Sequence, residues 1–297
     1  MRNAPLVSVG IPTYNRPLGL RRTLSCITAQ SYQHLEIVVS DNCSSDPGVA
    51  VVVQELSRQD HRIRPFRQTT NLGVYNNFRY VLSKSQGTYF MWAADDDEWE
   101  PTFVEELVAL LEKYCDVGVA FSNFDARDAT GRRIPAYPDF LPLLEQYASK
   151  PVAERLTAYI GQEESLGKAN VIYGLFRKDL LISTREICAW GPGKWGFDML
   201  IVCSVLARSN LKVSPNLLYH VGVETVPPDS AQKIATSEPP CRAIRIARSV
   251  MLHFRYMFGY TRIVWRTSSL SIAERILLIS RICKRFGVLA RRDLTKA

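Results

Sequence analysis

Short apolar runs alternate with segments of helical spacing along the first 120 residues of this 297-residue chain, and this alternation restricts the possible folds. The apolar runs, bounded by proline or turn residues, predict strands at 6–12, 35–40, 62–68, 88–94 and 117–121. Apolar residues at helical spacing predict helices at 18–30, 47–57, 74–84 and 101–113. Strands and helices in this order build βαβ units, so the sequence predicts an α/β fold with a mainly parallel sheet flanked by helices.

Polar residues follow three of the predicted strands at their carboxyl ends. They form the segments Pro12-Thr-Tyr-Asn-Arg16, Asp41-Asn42 and Asp95-Asp-Asp97. The carboxyl ends of parallel strands meet at one edge of the sheet, where ligands bind. The sequence therefore predicts a single cleft that these three segments share.

The acidic triplet at 95–97 is the most informative of the three segments. Three neighbouring carboxylates repel one another, and their charge costs free energy unless a positive group joins them. A divalent cation that also holds a phosphate is the usual solution. A solvated acidic turn is the alternative interpretation of the triplet taken alone.

The part of the chain after residue 121 has a less regular pattern. The segment 124–167 is irregular and proline-rich, which indicates loops and short helices over the cleft. Beyond it, the pattern predicts a strand at 171–177, a flexible loop at 191–196, a helix at 197–208 and a short strand at 217–220.

Composition indicates a globular protein, and its cysteines match neither a zinc motif nor a disulfide framework. The chain is 46% hydrophobic, which is enough for a sizeable core. Its seven cysteines form no Cys-x-x-Cys pair, so we expect reduced thiols and a cytoplasmic protein. The beginning of the sequence does not have a signal-peptide pattern, and no apolar run approaches the ~18 residues of a membrane span.

Positive charge is concentrated at the end of the chain. Residues 240–297 hold 13 Lys and Arg against 2 Asp and Glu, whereas the whole chain has a net charge of +8. We therefore predict a catalytic domain at 1–225 and a basic helical extension at 226–297. Segments 244–258 and 271–286 are basic and amphipathic, which suits either contact with an anionic membrane or a hairpin packed on the domain. Nucleic acid is not expected, because no binding motif accompanies the charge.

Four motifs, in order, resemble the family 2 glycosyltransferases of the GT-A fold. They are VSVGIPTYNRP, VVSDNCSSD, NLGVYNNF and GTYFMWAADDDEWEP, and the resemblance extends roughly from residue 5 to residue 220. It implies an inverting transfer of a sugar from a nucleotide-sugar donor. It also implies contacts to the base and ribose at five positions, which are Pro12, Thr13, Tyr14, Arg16 and Asp41.

The acidic signature of the family is D-x-D or D-x-D-D, with a proline four residues after the last Asp. Alignment on Pro101 places Asp97 last and Asp96 on the metal-binding position, so the resemblance implies Mg²⁺ or Mn²⁺. Ala94 departs from the pattern, because many members have their first Asp there. Asp95 is then expected at the ribose, and Asp97 either ligates the metal or supports the loop.

Asn71, Gly73 and Asn77 match a turn and helix start on the donor side of this family. A helix N-terminus and free backbone N–H groups suit a diphosphate. The structural alternative is that Asn71 caps the helix and that Gly73 permits an unusual backbone angle.

Asp198 is the predicted catalytic base, since it follows a loop and begins a helix where the family carries a late acidic motif. An Asp stabilised by the helix dipole is the alternative interpretation, and Glu163 and Glu164 are rival bases. Trp190 and Trp195 flank the loop and are predicted to contact the acceptor, whereas His220 is a weaker candidate metal ligand.

The sequence thus predicts an inverting glycosyltransferase that acts on a glycan or lipid-linked acceptor, in bacterial cell-surface polysaccharide synthesis. With a membrane-binding tail, it would sit at the inner face of the membrane. Two alternatives stay open: a metal-dependent nucleotidyl- or phosphotransferase, and a non-catalytic subunit that binds nucleotide sugars.

Overall fold

The computed structural model describes residues 4–128, 130–137, 139–148, 150–163, 166–183, 196–223 and 242–296. The strands are β1 (Val7–Thr13), β2 (Leu35–Asp41), β3 (Ile63–Arg67), β4 (Tyr89–Trp92), β5 (Glu98–Trp99), β6 (Val117–Arg127), β7 (Arg133–Ile134), β8 (Leu175–Arg177) and β9 (Asn210–Gly222). The helices are α1 (Pro17–Thr28), α2 (Pro47–Gln59), α3 (Val74–Lys84), α4 (Phe103–Lys113), α5 (Leu141–Glu145), α6 (Val152–Gly161), α7 (Lys178–Ser183), α8 (Phe197–Leu206), α9 (Arg242–Arg266) and α10 (Ile272–Lys296).

The strands form one sheet in the order β3-β2-β1-β4-β8-β6-β9-β5, with β7 paired to β6. The first four strands are parallel, as predicted, and β6 is parallel to β9. Strand β8 is antiparallel to both β4 and β6, and β5 is antiparallel to β9. The predicted α/β class is confirmed, although the sheet as a whole is mixed.

The core follows the predicted periodicity. All seven residues of β1 and all seven of β2 are buried. Helix α3 packs on both strands, and α2 contacts β2. In α1 the buried Leu20, Leu24 and Ile27 lie on one face at helical spacing. The parallel ladder between β1 and β2 keeps their carboxyl ends in register, with Thr13 beside Asp41.

Two predictions in the second half were wrong in detail. The strand expected at 171–177 is a 3₁₀ helix over Lys168–Tyr173 followed by the short β8. The short strand expected at 217–220 is the end of β9, which is 13 residues long. The first half of β9 is polar and partly exposed, so its sequence does not predict a strand. It nevertheless pairs with β6, beginning with Asn210 of β9 opposite Val117 of β6.

The two C-terminal helices pack on each other and on the α/β unit, α9 against α8 and α10 against α6. The ring of Phe286 in α10 lies 6.2 Å from that of Tyr256 and 6.0 Å from that of Tyr260, both in α9. This is the packed hairpin that the sequence offered as one alternative. The predicted domain boundary at 225 falls outside the described residues. Within them, no helix combines the length and apolarity that crossing a membrane requires.

Candidate active site

A cavity of about 540 Å³ opens at the carboxyl ends of β1 and β4. Eight of the predicted site residues line it, namely Pro12, Thr13, Tyr14, Arg16, Asn77, Asp95, Asp96 and Asp198. Asn42, from the predicted strand-end segment at 41–42, and Ala94, which departs from the family pattern, also line it. The sequence did not single out the remaining lining residues: Val74, Phe78, Ile172, Tyr173, Gly196 and Phe197. The three polar strand ends therefore meet, as parallel topology predicts, and α8 joins them.

Asp95 connects the acidic loop to the end of β1. Its carboxylate accepts hydrogen bonds from the Thr13 hydroxyl (2.7 Å) and the Tyr14 backbone N–H (3.4 Å). An Arg16 guanidinium nitrogen lies 3.4 Å from its other oxygen. Burial, followed by the charge of Asp96, raises the pKa of Asp95 to about 6, against the opposing effects of Thr13 and Arg16.

Asp96 is the most open carboxylate of the triplet, with 20% of its side chain exposed on the cavity. It forms an ion pair with Arg16, whose own side chain is 43% exposed. Arg16 therefore supplies positive charge to two neighbouring carboxylates at the mouth of the cleft.

Asp97 points away from the cleft and into the protein. The Tyr219 hydroxyl donates to one of its carboxylate oxygens, and the Gly222 backbone N–H donates to the other at 2.8 Å. Burial and the charge of Asp96 raise its pKa above the usual range. Of the two roles predicted for Asp97, these contacts favour support of the loop from β9; metal ligation by Asp97 stays a prediction.

Asp41 lies beside the cavity in a network of its own. Its carboxylate accepts from the Ser44 backbone N–H at 2.9 Å and pairs with the Arg67 guanidinium at 2.6 Å. The first contact caps the turn that follows β2. Arg67, which the sequence analysis did not single out, is half exposed and places a guanidinium at this edge of the cleft.

The turn before α3 is fixed by asparagine side chains. The Asn71 carboxamide oxygen accepts from the Gly73 backbone N–H and from Asn42, both within 3 Å. Gly73 has a φ of +77°, which accounts for glycine there. Asn77 is buried and ties α3 to β2 through the Ser40 hydroxyl (2.6 Å) and carbonyl oxygen (3.0 Å). The positive φ matches the structural alternative for Gly73. Asn71 fixes the turn but does not cap α3, whose N-cap is Gly73 without a side-chain cap, and Asn77 lines the cavity.

Asp198 lies in the first turn of α8, on the cavity wall. One carboxylate oxygen accepts from the Met199 backbone N–H at 2.8 Å, and burial raises the pKa of this carboxyl. The helix begins at Gly196, whose φ is +76°. Three other predicted residues, Glu164, Trp190 and Trp195, lie outside the described residues.

His220 is engaged away from the cavity. Its Nδ1 lies 2.6 Å from an Asp125 carboxylate oxygen, and its Nε2 lies 2.8 Å from a Glu100 oxygen. With a carboxylate at each ring nitrogen, His220 holds β9 to β6 and to the residue after β5. This arrangement does not support the weaker prediction that His220 ligates a metal.

The donor set of the acidic loop fits a hard cation. In the part of the chain that the structure describes, no group of three or more His, Cys, Asp or Glu side chains is arranged to hold a metal. Mg²⁺ and Mn²⁺ are, however, commonly held by one or two carboxylates, with phosphate oxygens and water as the remaining ligands. The carboxylates of Asp95 and Asp96, side by side on the cavity, suit that mode.

Comparison with protein families gives one match, to a model described as Glycosyl transferase family 2, over residues 8–171. Among curated relatives, TuaG of Bacillus subtilis, named for teichuronic acid biosynthesis, is 30% identical over 127 residues. That alignment covers 42% of this chain and 50% of TuaG. The first relatives compared are matched over about half of their own length or less.

Two solved structures share the architecture at low sequence identity. Residues 1–349 of TarS from S. aureus superpose with a TM-score of 0.69 at 15% identity, covering 97% of this chain and 73% of that one. TarS has also been solved with UDP-GlcNAc. A mannosyltransferase from Pyrobaculum calidifontis was solved with GDP-Man and Mn²⁺. Its superposition has a TM-score of 0.54 and covers all of this chain and 76% of the mannosyltransferase.

Proposed function

The chain belongs to glycosyl transferase family 2, and on that premise we propose that it is an inverting enzyme that moves a sugar from a nucleotide-diphosphate donor. The predicted acceptor is a glycan or a lipid-linked glycan. The observation that carries the proposal is the shared cavity, in which Arg16, Asp95 and Asp96 face the same space as Asp198. Its volume of about 540 Å³ lies in the usual range for small-molecule sites.

The donor would lie along the strand ends. Thr13 and Tyr14 hold the end of β1 against Asp95, which leaves Asp95 positioned for a ribose hydroxyl. Asp41, with Arg67 beside it, would recognise the base from the end of β2. Asn71, Gly73 and Asn77 would shape the adjoining wall, where the N-terminus of α3 suits the diphosphate.

A Mg²⁺ or Mn²⁺ ion, when bound, would stabilise the charge that develops on the departing diphosphate. Asp96 would hold it, since Asp96 is the most open carboxylate of the triplet. Arg16 can turn from Asp96 toward the diphosphate, because its side chain is 43% exposed.

Asp198 would act as the general base. Burial raises the pKa of its carboxyl, which brings its basicity closer to that suited to removing a proton from the acceptor hydroxyl. Among the described residues that line the cavity, the other two carboxylates are paired with Arg16. With Asp95 and Asp96 assigned to the donor side, no described carboxylate of the cavity is left to act as nucleophile, which favours direct displacement and therefore inversion. Trp190 and Trp195 remain our prediction for the acceptor side.

A role in bacterial cell-surface polysaccharide synthesis is part of this proposal. TuaG is named for teichuronic acid biosynthesis, and TarS was solved with UDP-GlcNAc. These names describe those proteins, and the match to TuaG covers only 42% of this chain. The donor base and sugar of this chain are therefore left to experiment.

A thermal-shift panel of nucleoside diphosphates and nucleotide sugars, with and without Mn²⁺, tests the donor proposal. A ligand at 100 times its dissociation constant stabilises the folded state by about 2.7 kcal/mol, which is a shift of several degrees. We expect one base to dominate and Mn²⁺ to enhance its effect.

The matched variant is Asp96→Asn. Without ligand it should melt at the same temperature as the unchanged protein, and Mn²⁺ should no longer enhance the shift caused by the nucleotide. Absence of a shift with every nucleotide sugar, in the presence of Mn²⁺, would contradict the proposal. A product that keeps the anomeric configuration of the donor, detected by NMR, would contradict inversion alone.

A further inference from the structure

The C-terminal hairpin, formed by α9 and α10, exposes an unusual number of large apolar side chains. Fifteen such side chains in the described residues are exposed, and eight of them lie in this hairpin. They are Met251, Phe254, Phe258, Trp265, Ile272, Ile276, Leu277 and Val288, each more than half exposed. Contiguous exposed apolar surface of this kind usually marks a contact site.

The exposed residues of α9 form a single face. Met251, Phe254, Phe258 and Trp265 are spaced by three, four and seven residues, which places them within about 60° of one another at 100° per residue. We call these four residues the outer stripe. The opposite face of the same helix carries the buried Tyr256, Tyr260, Ile263 and Val264. The outer stripe therefore points away from the protein.

Arginine borders the outer stripe. By helical position, Arg255, Arg262 and Arg266 lie along one side of it. The adjoining α10 presents three more basic residues among its exposed apolar ones: Arg281, Lys284 and Arg291. Glu274 at the start of α10 accepts hydrogen bonds from Ser271 within the helix cap and keeps its negative charge, so it offsets part of the basic charge at that end of the helix.

We propose that the outer stripe and its arginines dock on the surface of an anionic lipid bilayer, with the axis of α9 in the plane of the interface. A bilayer offers apolar depth for the aromatic side chains and phosphate for the guanidinium groups. A second copy of this face would bring like charges together. Nucleic acid would match the charge and leave the four apolar side chains in water.

The inner side of α9 connects this surface to the candidate active site. Gly259 lets α9 approach α8, since a Cβ there would lie 2.9 Å from the Leu200 side chain. Tyr256 packs directly on Gly196, two residues before Asp198. Helix α9 therefore has two contact faces: the outer stripe would meet the bilayer, and the opposite face packs on α8, which carries Asp198. The docking does not depend on the proposed function, but its use for a lipid-linked acceptor does.

Flotation of the full-length protein with vesicles tests the docking. Vesicles of phosphatidylglycerol and phosphatidylcholine in equal parts should carry the protein, and pure phosphatidylcholine vesicles should carry much less. Each arginine removed from the interface should lower partitioning into anionic vesicles about fivefold, and added salt should weaken it. The double variant Phe254→Ser/Arg255→Gln should lose at least tenfold.

The matched control is Val51→Ser/Arg58→Gln, which makes the same kinds of change at exposed positions on α2. It should float like the unchanged protein, and both variants should keep the melting temperature and the donor response. Equal flotation of the two variants would overturn the proposal. So would an unchanged protein that ignores anionic vesicles, or a dimer in light scattering that only Phe254→Ser/Arg255→Gln converts to monomer.

Discussion

At the scale of single residues, the three aspartates of the acidic loop have three different environments. Asp95 is held by Thr13 and Tyr14, Asp96 is open to the cavity, and Asp97 is held from β9 by hydrogen bonds. Neutral donors thus hold the carboxylates of Asp95 and Asp97 in place, with Arg16 also near Asp95, and the loop presents Asp96 to the cavity. This division of roles makes Asp96 the residue best placed to meet a cation and a diphosphate together.

Replacing Asp198 with Asn should abolish transfer without loss of donor binding. The carboxamide keeps the size of the side chain and cannot accept the proton of the acceptor hydroxyl, which predicts a 10²–10⁴-fold fall in kcat. Glu163→Gln, which removes the rival carboxylate on the described part of the chain, should retain full turnover. Comparable loss in both variants, or wild-type turnover by Asp198→Asn, would remove Asp198 from the role of base.

Asp95 should make the metal-free protein less stable as the pH rises. Its folded-state pKa of about 6 lies above the ordinary value of 3.8, so the fold favours the protonated form. The stability it contributes is present below about pH 4 and is lost as the pH rises through 6. Between pH 5 and pH 7.5, the loss for this residue amounts to about 1 kcal/mol.

Urea unfolding with chelator present, at pH 5 and pH 7.5, measures this effect. As the pH rises from 5 to 7.5, the free energy of unfolding of Asp95→Asn should increase by about 1 kcal/mol relative to that of the unchanged protein. Asp60→Asn is the control, since the ion pair with Arg62 lowers the pKa of Asp60 and its titration lies below this window. A relative gain of the same size in Asp60→Asn, or none in Asp95→Asn, would show that burial of Asp95 does not set this dependence.

The sequence predicted the polar residues of the cavity better than the apolar ones. Strand ends of a parallel sheet converge by topology, so Thr13, Arg16 and Asp95 could be placed together from spacing alone. Phe78 and Phe197 could not be assigned to the cavity from the sequence, because an aromatic residue at a helical position is equally typical of the hydrophobic core. Their placement on the cavity wall follows from how α3 and α8 pack, which is a tertiary outcome.

At the scale of secondary-structure elements, α8 is positioned by its contact with α9. Gly196 begins α8 at a positive φ, and a Cβ on it would lie 1.2 Å from the Tyr256 hydroxyl oxygen. The helix that carries Asp198 can therefore start where it does only because residue 196 has no side chain. A sequence signal existed in the glycine-rich run before Phe197, but the partner that requires glycine is 60 residues away in the chain.

Gly196→Ala should destabilise the protein by about 2–4 kcal/mol, because the strained backbone and the overlap with Tyr256 both contribute. Gly131→Ala is the matched control, since Gly131 also has a positive φ (+81°) and a Cβ added there would meet nothing within 4 Å. It should lose only about 1 kcal/mol. Denaturant unfolding compares the two, and equal losses would show that the contact between α8 and α9 is unimportant.

Strand β9 and the 3₁₀ helix show where prediction of the elements failed. The polar half of β9 is a strand because β6 pairs with it, and local sequence does not contain that information. The segment 168–173 contains the β-branched Val171 and Ile172 and resembles a strand, yet it forms a 3₁₀ helix after Gly167 at a φ of +87°. In both cases, distant contacts or one glycine outweighed local preference.

At the scale of the whole molecule, the hairpin and the α/β unit share one core. Phe286 is 4% exposed and lies against Tyr256 and Tyr260, and the latter two belong to the same apolar cluster as the sheet. The hairpin formed by α9 and α10 is therefore part of the folded body, which leaves its outer face as the surface available to partners.

Phe286→Ala should lower the free energy of unfolding by about 3–5 kcal/mol and move a single calorimetric transition downward. The exposed Val288→Ala, two residues along the same helix, should change stability by less than about 0.5 kcal/mol. A separate low-temperature transition, with the main transition unmoved, would instead show that the hairpin melts independently.

The central claim is that a divalent cation and a nucleoside diphosphate occupy the cavity together at the acidic loop. Anomalous diffraction from crystals grown with Mn²⁺ and the diphosphate selected by the thermal-shift panel measures this directly. We predict a manganese peak at the Asp96 carboxylate, with the diphosphate beside it. Manganese and diphosphate seated together elsewhere, away from residues 95–97, would contradict the account.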